Sequence, residues 1–334
     1  MKNFSLWTEL LEYARWSPSP HNVQPWKLKL LSETKADLYY DPTRLLPDED
    51  PQGRFLLSGF GIFLESLAIA ANPTGHTIKI TYVTKKLDSS RPTHTLLAHL
   101  SLVKTTKKEP LNRELIKQRR TSRLSFDSRH LEQHVITELQ SIAKAYGQTF
   151  TFSSSPDLIR WVTELNKDTM FYDMNDDKTR NEVGSWVRYT TQEATTKKDG
   201  LWSYCMNVPS SLMYLFFHAR WIINLPVIHQ LTSRFYIKST QSSTIAWLQG
   251  PFKTPDDWIN SGRMLMRLWL TMTRHGIYLH PFGSIITNET SHARLRNKFG
   301  LDERKNTMWL IMRLGYSDEP PRSLRLNMQD ILLK

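Results

Sequence analysis

Cysteine is almost absent from this sequence, since Cys205 is the only one among its 334 residues. A single thiol excludes an intrachain disulfide and a zinc site built from several cysteines. It also suits a reducing compartment, so we expect a cytoplasmic protein. His130 and His134 have the four-residue spacing of a helical ligand pair. No third metal ligand accompanies them, so we expect no metal site.

Long uninterrupted apolar runs are also missing. The most apolar region, residues 212–231, is interrupted by polar or helix-breaking side chains: His218, Arg220, Asn224, Pro226 and His229. It therefore falls short of the ~18 continuous apolar residues of a membrane span, and we expect no transmembrane segment. The first residues enter an amphipathic helix directly, without the charged, apolar and small-residue regions of a signal peptide, so none is expected.

Runs of like charge are absent although the formal net charge is +12. The basic residues are scattered, and no nucleic-acid-binding motif accompanies them. We therefore attribute the excess of basic residues to the binding of a phosphate-bearing cofactor, and we expect no nucleic-acid partner. A weaker alternative is a peripheral membrane or nucleic-acid binder, which only the net charge and the aromatic-rich segment suggest.

Several familiar motifs are lacking. No G-x-S-x-G or Walker sequence occurs, so no motif indicates a hydrolase or an NTPase. Gly59-Phe60-Gly61 lacks the third glycine of a dinucleotide-binding turn, and helix packing is the better interpretation. No period of ~20–50 residues repeats, which excludes a solenoid.

Hydrophobic periodicity predicts helices that alternate with strands. The predicted helices span 4–16, 54–72, 111–118, 131–146, 156–189 with a break near 176–177, 255–275 and 291–299. The predicted strands span 26–30, 36–40, 76–83, 95–103, 148–152, 244–248, 277–279 and 307–314. Residues 190–243 show only short aromatic-rich helical pieces, and 315–334 read as an extended tail.

The chain has a weak two-half symmetry. A very apolar helix, a stopping glycine and a strand follow one another around Gly75, and again around Gly276. The segment 105–110 between them is polar and lysine-rich. We therefore predict two halves, 1–108 and 109–334.

The segment 17–26, with the sequence SPSPHNVQPW, is a stiff turn between a helix and a strand, because its prolines fix φ and remove backbone donors. Between the prolines lie the polar side chains of Ser19, Asn22 and Gln24. They could hydrogen-bond a planar or polar ligand, or could satisfy their own turn, and residue types alone do not decide between these two interpretations.

The segment 119–123, with the sequence RRTSR, places three guanidinium groups and two hydroxyl groups within five residues. Arginine binds phosphate through planar, two-point hydrogen bonding. The alternative is a solvated helix end whose basic residues interact with the helix dipole.

These two segments together resemble a known family. The stretch 14–26, ARWSPSPHNVQPW, resembles the A-R-x-A-P-S-x-x-N-x-Q-P-W signature of flavin-dependent nitroreductases, and 119–123 resembles their R-R-S-x-R phosphate segment. The stretches 41–47 and 50–54 resemble the Acg-type branch, in which two nitroreductase-like halves are fused. The resemblance implies an α+β sandwich with a mixed sheet in each half around long central helices, an intrachain pseudo-dimer.

The resemblance also implies where a flavin would bind. In the dimeric family the flavin lies between subunits, with one motif from each, and this chain carries one copy of each motif. It therefore predicts one FMN site per chain in a monomer. The implied cofactor-binding residues are Pro18, Ser19, Asn22 and Gln24 in the loop, Arg119 and Thr121 at the phosphate, Arg123 near flavin N1 and O2, Pro281 and Gly283 near N5, and Arg325 (or Arg322) closing on the phosphate. The closing segment departs from the family at Leu326, where a second arginine is common.

The activity implied by the resemblance is that of an FMN-dependent NAD(P)H oxidoreductase. NADPH or NADH would supply hydride through flavin N5 to a nitroaromatic or quinone-like small molecule, and no side chain need be catalytic. The alternative is a flavin-binding or sequestering protein with little turnover, in which residues 190–243 form a lid over the cofactor.

Overall fold

The computed structural model describes residues 4–302 and 307–334. The N-terminal elements are α1 (Ser5–Ala14), β1 (Trp26–Leu30), β2 (Lys35–Tyr40), α2 (Arg54–Ala71), β3 (His76–Tyr82), β4 (Thr95–Lys104) and α3 (Glu114–Gln118). Then follow α4 (Gln133–Ala145), β5 (Thr149–Ser153), α5 (Pro156–Asp173), α6 (Asp177–Ser185), β6 (Val187–Arg188), α7 (Thr191–Lys197), β7 (Leu201–Trp202), α8 (Ser203–Met206), α9 (Ser210–His218), α10 (Arg220–Ile223) and α11 (Pro226–Ser239). The last are β8 (Thr244–Gly250), α12 (Pro255–Arg274), β9 (Tyr278–Pro281), α13 (Gly283–Thr287), α14 (Glu289–Phe299), β10 (Thr307–Gly315) and α15 (Met328–Ile331).

Two four-stranded sheets form the frame, one in each half of the chain. Their strand orders are β1-β2-β4-β3 and β5-β8-β10-β9, and all these neighbours pair antiparallel. Isolated parallel bridges join Leu28 to Leu332 and Thr121 to Leu279 at the sheet edges, but the strands of both sheets are antiparallel rather than mixed as the resemblance implied. The predicted α+β class with a sheet in each half is confirmed.

Helices α2 and α12 lie against each other at the centre, as the apolar sequences predict. Fifteen of the eighteen residues of α2 are buried, because a helix that is apolar all round needs neighbours all round. A Cβ at Gly61 would lie 2.0 Å from the carbonyl oxygen of Ile259, and one at Gly262 would lie 1.9 Å from that of Ser58. The two backbones therefore touch where both helices carry glycine, which confirms helix packing as the role of Gly61.

The contact between α2 and α12 is reciprocal. Gly61 and Gly262 stand 201 residues apart in the chain, and so do Ser58 and Ile259, so each close contact is the image of the other. Gly75 and Gly276 show the same spacing, and both adopt a left-handed conformation (φ 75° and 68°). A two-fold axis between the helices would produce this pattern, although the pseudo-dimer itself stays a prediction.

A buried ion network crosses the same interface. The Glu65 carboxylate on α2 is 1% exposed and accepts from Arg263 Nε at 2.7 Å, and it also pairs with Arg267. Arg267 in turn donates to Glu109 at 2.6 Å. The free-energy cost of burying the Glu65 carboxylate is offset because each of its two oxygens has a cationic partner.

Most of the predicted elements occur within two or three residues of their expected ends. The break near 176–177 separates α5 from α6, as predicted. Residues 190–243 form α7–α11 with the short strand β7, and the tail contains the single turn α15, which the sequence did not indicate. The helix predicted over 111–118 begins only at Glu114.

Among the described residues, one helix, Arg54–Thr74, is long and apolar enough to cross a membrane, with a mean hydropathy of 1.6. Within the fold, 83% of that window is buried. The packing of α2 against α12 and the first sheet accounts for its apolar sequence.

Candidate functional site

The proline-rich loop is held in an unusual backbone conformation. Pro20–Asn22 form a single 3₁₀ turn, and three non-glycine residues have positive φ: His21 (44°), Asn22 (57°) and Gln24 (50°). Such conformations cost free energy and persist only where surrounding contacts hold them, as at many binding sites. The Ser19 hydroxyl supplies one of these contacts by accepting the Gln24 N–H at 2.9 Å.

The structure separates the two amide side chains of this loop. Gln24 is fully buried, its Nε2 donates to the Lys198 carbonyl at 3.0 Å, and its Oε1 accepts the Leu326 N–H at 2.9 Å. Its amide therefore holds protein segments together. Asn22 donates from Nδ2 to the Leu324 carbonyl at 3.1 Å, while its Oδ1 is buried and unpartnered within the described part of the chain. Of the two side chains, Asn22 retains capacity for a ligand.

The C-terminal tail brings the loop to the basic segment. Arg325 Nε donates to the Ser17 carbonyl at 3.3 Å, and Leu326 is buried in the core instead of lining the cleft. A cleft forms between the tail and the segment 119–121, lined by Trp16, Arg119, Arg120, Thr121, Pro321, Arg322, Ser323 and Arg325. The structure thus gathers the predicted phosphate residues Arg119, Thr121 and Arg325. Arg322 also lines this cleft. The C-terminal tail therefore supplies a second arginine there, although Leu326 occupies the position where the family commonly has one.

The cleft is strongly positive and has unsatisfied donors. Arg119 is 5% exposed and lies 4.2 Å above the Trp269 ring, and its Nε and Nη1 have no hydrogen-bond partner among the described residues. Burial, together with the charges of Arg325 and Arg322, pushes the pKa of Arg119 well below its usual value. Arg322 stacks on Trp16 at 3.4 Å with Nε and Nη2 equally unpartnered. A bound anion would satisfy these donors and relieve the repulsion.

Arg123 lies at the other end of the basic segment. Thr121 bridges Leu279 in parallel and the Ser122 N–H donates to the Leu279 carbonyl at 3.2 Å, so the segment 121–123 runs alongside β9. Arg123 lies close enough to His280 of β9 for its charge to lower the pKa of that ring. The buried Nε of Arg123 has no partner in residues 4–302 and 307–334, and burial lowers the pKa of Arg123 to about 10, so it stays charged at neutral pH. A Cβ added at Gly283, at the start of α13, would meet open space.

Sequence reasoning missed a charged pair beside this arrangement. His21 bonds the Glu49 carboxylate, while Glu182 accepts the backbone N–H groups of Asp48 and Glu49 at 3.0 and 2.7 Å. Burial and the positive charge of Arg123 both act to lower the pKa of His21. The Glu49 carboxylate acts to raise it and has the larger effect, so the pKa of His21 is raised overall. The positive charge of Arg123 is therefore close enough to His21 to affect its pKa.

A second missed group is the buried cation Arg313 on β10. It is 0% exposed, donates from Nε to His280 Nδ1 at 3.1 Å and from Nη1 to the Gln241 carbonyl at 3.0 Å, and lies over the Phe126 ring. Burial and the charges of Arg313 and Arg123 hold the pKa of His280 well below its usual value, so the ring is neutral. The sequence 313–316, RLGY, also resembles the closing R-x-G-Y segment of the nitroreductases, but that resemblance gives the Arg313 side chain no role.

Residues 199–239, which we call the cover, lie against Arg123. Asn207 Nδ2 donates to the Arg123 carbonyl at 3.3 Å, and Tyr236 of α11 is close enough to Arg123 for their charges to interact. Burial raises the pKa of Tyr236 to about 12. Asp199 pairs with Arg188 at 2.7 Å and Arg44 at 3.0 Å, which fixes the start of the cover to the N-terminal half.

Cys205 lies within this cover, next to Ser323 and Arg123, and is 5% exposed. Burial raises the pKa of its thiol. The group is therefore protonated at neutral pH, in agreement with an inert thiol rather than a nucleophile.

Comparison with known proteins gives one curated relative over most of the chain. The sequence is 21% identical over 306 residues to the probable NAD(P)H nitroreductase PigM of Serratia sp. (strain ATCC 39006), covering 85% of this chain and 82% of the relative. Among solved structures, the FMN- and NADPH-dependent nitroreductase NfnB from a Sphigopyxis strain is 13% identical, with a TM-score of 0.40 over 66% of this chain and 97% of that one. NfnB from Mycobacterium smegmatis in complex with NADPH is 15% identical, with a TM-score of 0.38 over 65% and 94%. No family model matches the chain.

Proposed function

We propose that this chain, which is a nitroreductase-like protein, is an FMN-dependent NAD(P)H oxidoreductase with one FMN site between its two halves. One observation carries the proposal. The loop at 17–26 and the arginines at 119–123 are joined through the C-terminal tail, and the cleft beside the tail is lined by Arg119 and Arg322, whose guanidinium groups have donors without a partner among the described residues. Two sequence motifs almost 100 residues apart would thus contribute to one anion-binding site.

The residues at this site fit an FMN phosphate. Arg119, Arg322 and Arg325 would supply charge-assisted hydrogen bonds to it, and the Thr121 hydroxyl would add a neutral donor. Pro18, Ser19 and Asn22 would border the rest of the cofactor, with Asn22 Oδ1 free to accept. Pro281, at the end of β9, and Gly283, where an added Cβ would meet open space, would border the flavin ring. Gln24 would act indirectly by fixing the loop to the tail.

When bound, FMN supplies the hydride chemistry, accepting from a nicotinamide and donating to an electron-poor small molecule. The chain would provide binding, orientation and exclusion of water. Arg123 would place a permanent positive charge near the ring, and the cover formed by α8–α11 would limit solvent access. We propose NADPH or NADH as reductant and a nitroaromatic or quinone-like acceptor.

We also propose the assembly that the sequence indicated, a monomer whose halves 1–108 and 109–334 act as a fused pair in the cytoplasm. The reciprocal contacts of Gly61 and Gly262 support this arrangement, as does the ion network that joins Glu65 to Arg263 and Arg267. In such a pair each half would contribute one motif to a shared site.

Replacement of Arg123 by glutamine is expected to lower the midpoint potential of bound FMN by tens of millivolts. Reduced flavin carries more negative charge than oxidised flavin, so a nearby cation favours reduction. Two charges about 4 Å apart at an effective dielectric of about 20 interact by about 4 kcal/mol, before screening by solvent. About 30 mV corresponds to 1.4 kcal/mol for two electrons. A dye-equilibrated redox titration measures the shift.

The control for this titration is Arg129→Gln, which removes an exposed arginine paired with Asp127. Its potential should match that of the wild type. An unchanged potential in Arg123→Gln would show that Arg123 does not lie near the flavin ring.

The second candidate function is flavin sequestration beneath a closed cover. It is favoured by the ion pair between Asp199 and Arg44, which holds the cover to the N-terminal half. The two functions differ in whether NADPH or NADH bleaches the bound flavin rapidly under anaerobic conditions. Rapid bleaching supports the oxidoreductase, whereas absorbance that persists until the Arg44–Asp199 pair is broken supports sequestration.

A further inference from the structure

The outer side of the cover carries a patch of exposed apolar side chains. Five residues on α10, α11 and the turn between them form what we call the outer patch: Trp221 (71% exposed), Leu225 (46%), Val227 (67%), Leu231 (55%) and Phe235 (40%). Single exposed apolar residues are ordinary on protein surfaces, but a group of this size within 15 residues indicates an interaction surface.

The pattern along α11 shows that this exposure follows from the sequence of the helix. Val227, Leu231 and Phe235 recur every four residues and therefore share one face. They point outward, while Thr232 and Tyr236 lie on the partly buried side, and no residue of α11 is fully buried. This helix therefore turns its most apolar stripe away from the protein.

The segment that carries the outer patch has charges of only one sign, although Asp177 of α6 lies 3.9 Å from Arg220 at the edge of α10. No aspartate or glutamate occurs between residues 200 and 255. Arg234 and Lys238 are exposed on α11, and each follows an outward apolar residue by three positions, which places the cations along the edge of the apolar stripe. Exposed Tyr214 of α9 adds a further amphipathic ring.

We propose that the outer patch docks on an anionic lipid bilayer surface. A helix with Leu, Phe and neighbouring Trp on one face and Lys and Arg beside it is suited to the interface between lipid headgroups and acyl chains. Anionic headgroups would neutralise Arg234 and Lys238, since each basic residue near such a surface contributes favourably to binding.

Charge disfavours a second copy of this chain as the occupant. A two-fold self-contact through α11 would bring Arg234 and Lys238 against the same residues of the other copy, with no acidic side chain in 200–255 to balance them. Anionic lipid headgroups carry the opposite charge, so docking on a bilayer brings no like charges together.

Docking would set the cover of the candidate site against the membrane. The outward stripe of α11 would enter the interface while Tyr236, on its inner side, stays beside Arg123. The proposal concerns this surface alone and does not depend on FMN or on turnover.

The test is flotation of the full chain with vesicles of phosphatidylglycerol and phosphatidylcholine in equal parts, compared with vesicles of phosphatidylcholine alone. We expect binding to the anionic vesicles that weakens at high salt. The combined substitutions Trp221→Ser, Val227→Ser and Leu231→Ser should reduce binding at least about tenfold, because about 25 cal/mol is lost per Å² of apolar surface. Arg234→Gln with Lys238→Gln should reduce it by a similar factor on anionic vesicles.

The matched control is Val83→Ser, which removes a side chain that is 55% exposed in the N-terminal half. It should bind vesicles as the wild type does. Because all the substituted side chains are exposed, circular dichroism and the unfolding temperature should be unchanged in every variant.

Three results would overturn the proposal. The first is that the wild type does not bind anionic vesicles at low salt. The second is that the wild type and the triple variant bind them equally. The third is that the wild type forms a concentration-dependent dimer and binds no vesicles, while the triple variant forms no dimer. The last would identify the patch as an interface between copies of the chain.

Discussion

Replacement of Arg119 by alanine is expected to weaken FMN binding roughly ten- to a hundredfold, because a charge-assisted hydrogen bond contributes ~1.5–3 kcal/mol. Arg119 is buried, and its Nε and Nη1 have no partner among the described residues. Riboflavin lacks the phosphate, so its affinity should fall far less. Fluorescence titration of the apoprotein with each ligand measures both losses.

Stability of the apoprotein separates a binding role from a structural one. Arg119 is repelled by Arg325 and Arg322, so its removal relieves unfavourable charge while losing the contact with Trp269. We expect the unfolding temperature of the unliganded variant to change little. Arg160→Ala, on the outside of α5, is the matched control and should leave both affinities unchanged. Equal losses for FMN and riboflavin would mean that Arg119 does not touch the phosphate.

Replacement of Gly262 by alanine is expected to destabilise the fold by about 3 kcal/mol or more, which is at the upper end of the cost of overpacking. The new Cβ would lie 1.9 Å from the Ser58 carbonyl oxygen, and the obstacle is backbone rather than a flexible side chain. Helices α2 and α12 would have to move apart across the centre of the protein. Urea unfolding measures the change.

Gly59→Ala is the matched control, since it lies in the same helix pair. A Cβ there would meet Pro20 at 3.5 Å, which is ordinary contact, and alanine favours a helix by up to about 1 kcal/mol over glycine. This variant should be as stable as the wild type or slightly more stable. If Gly262→Ala were equally stable, the close contact between the central helices would be wrong.

The sequence predicted those features that depend on local pattern. The apolar residues of α2, α12 and the strands around Gly75 and Gly276 recur regularly enough for these elements to be predicted from the sequence alone. The arginines of 119–123 and the loop of 17–26 were recognisable because their residue types are unusual together. The structure then showed that the tail joins them.

The missed features depend on contacts between residues distant in the chain. Gln24 bonds Leu326 and Lys198, so its structural role is invisible in the loop sequence. His21 and Glu49 meet only because the loop adopts positive φ. Arg313 is buried without a carboxylate partner, which no periodicity indicates. The sequence could not show that the apolar stripe of α11 points outward, because the same four-residue spacing is found on helix faces that pack against a core.

The central claim is that the two halves of this chain form one FMN site between them. The most direct measurement is the amount of FMN released per chain after reconstitution with excess FMN and removal of unbound cofactor. The account predicts one FMN per chain, with a large loss in Arg119→Ala. Two FMN per chain, or none from a correctly folded protein, would contradict it.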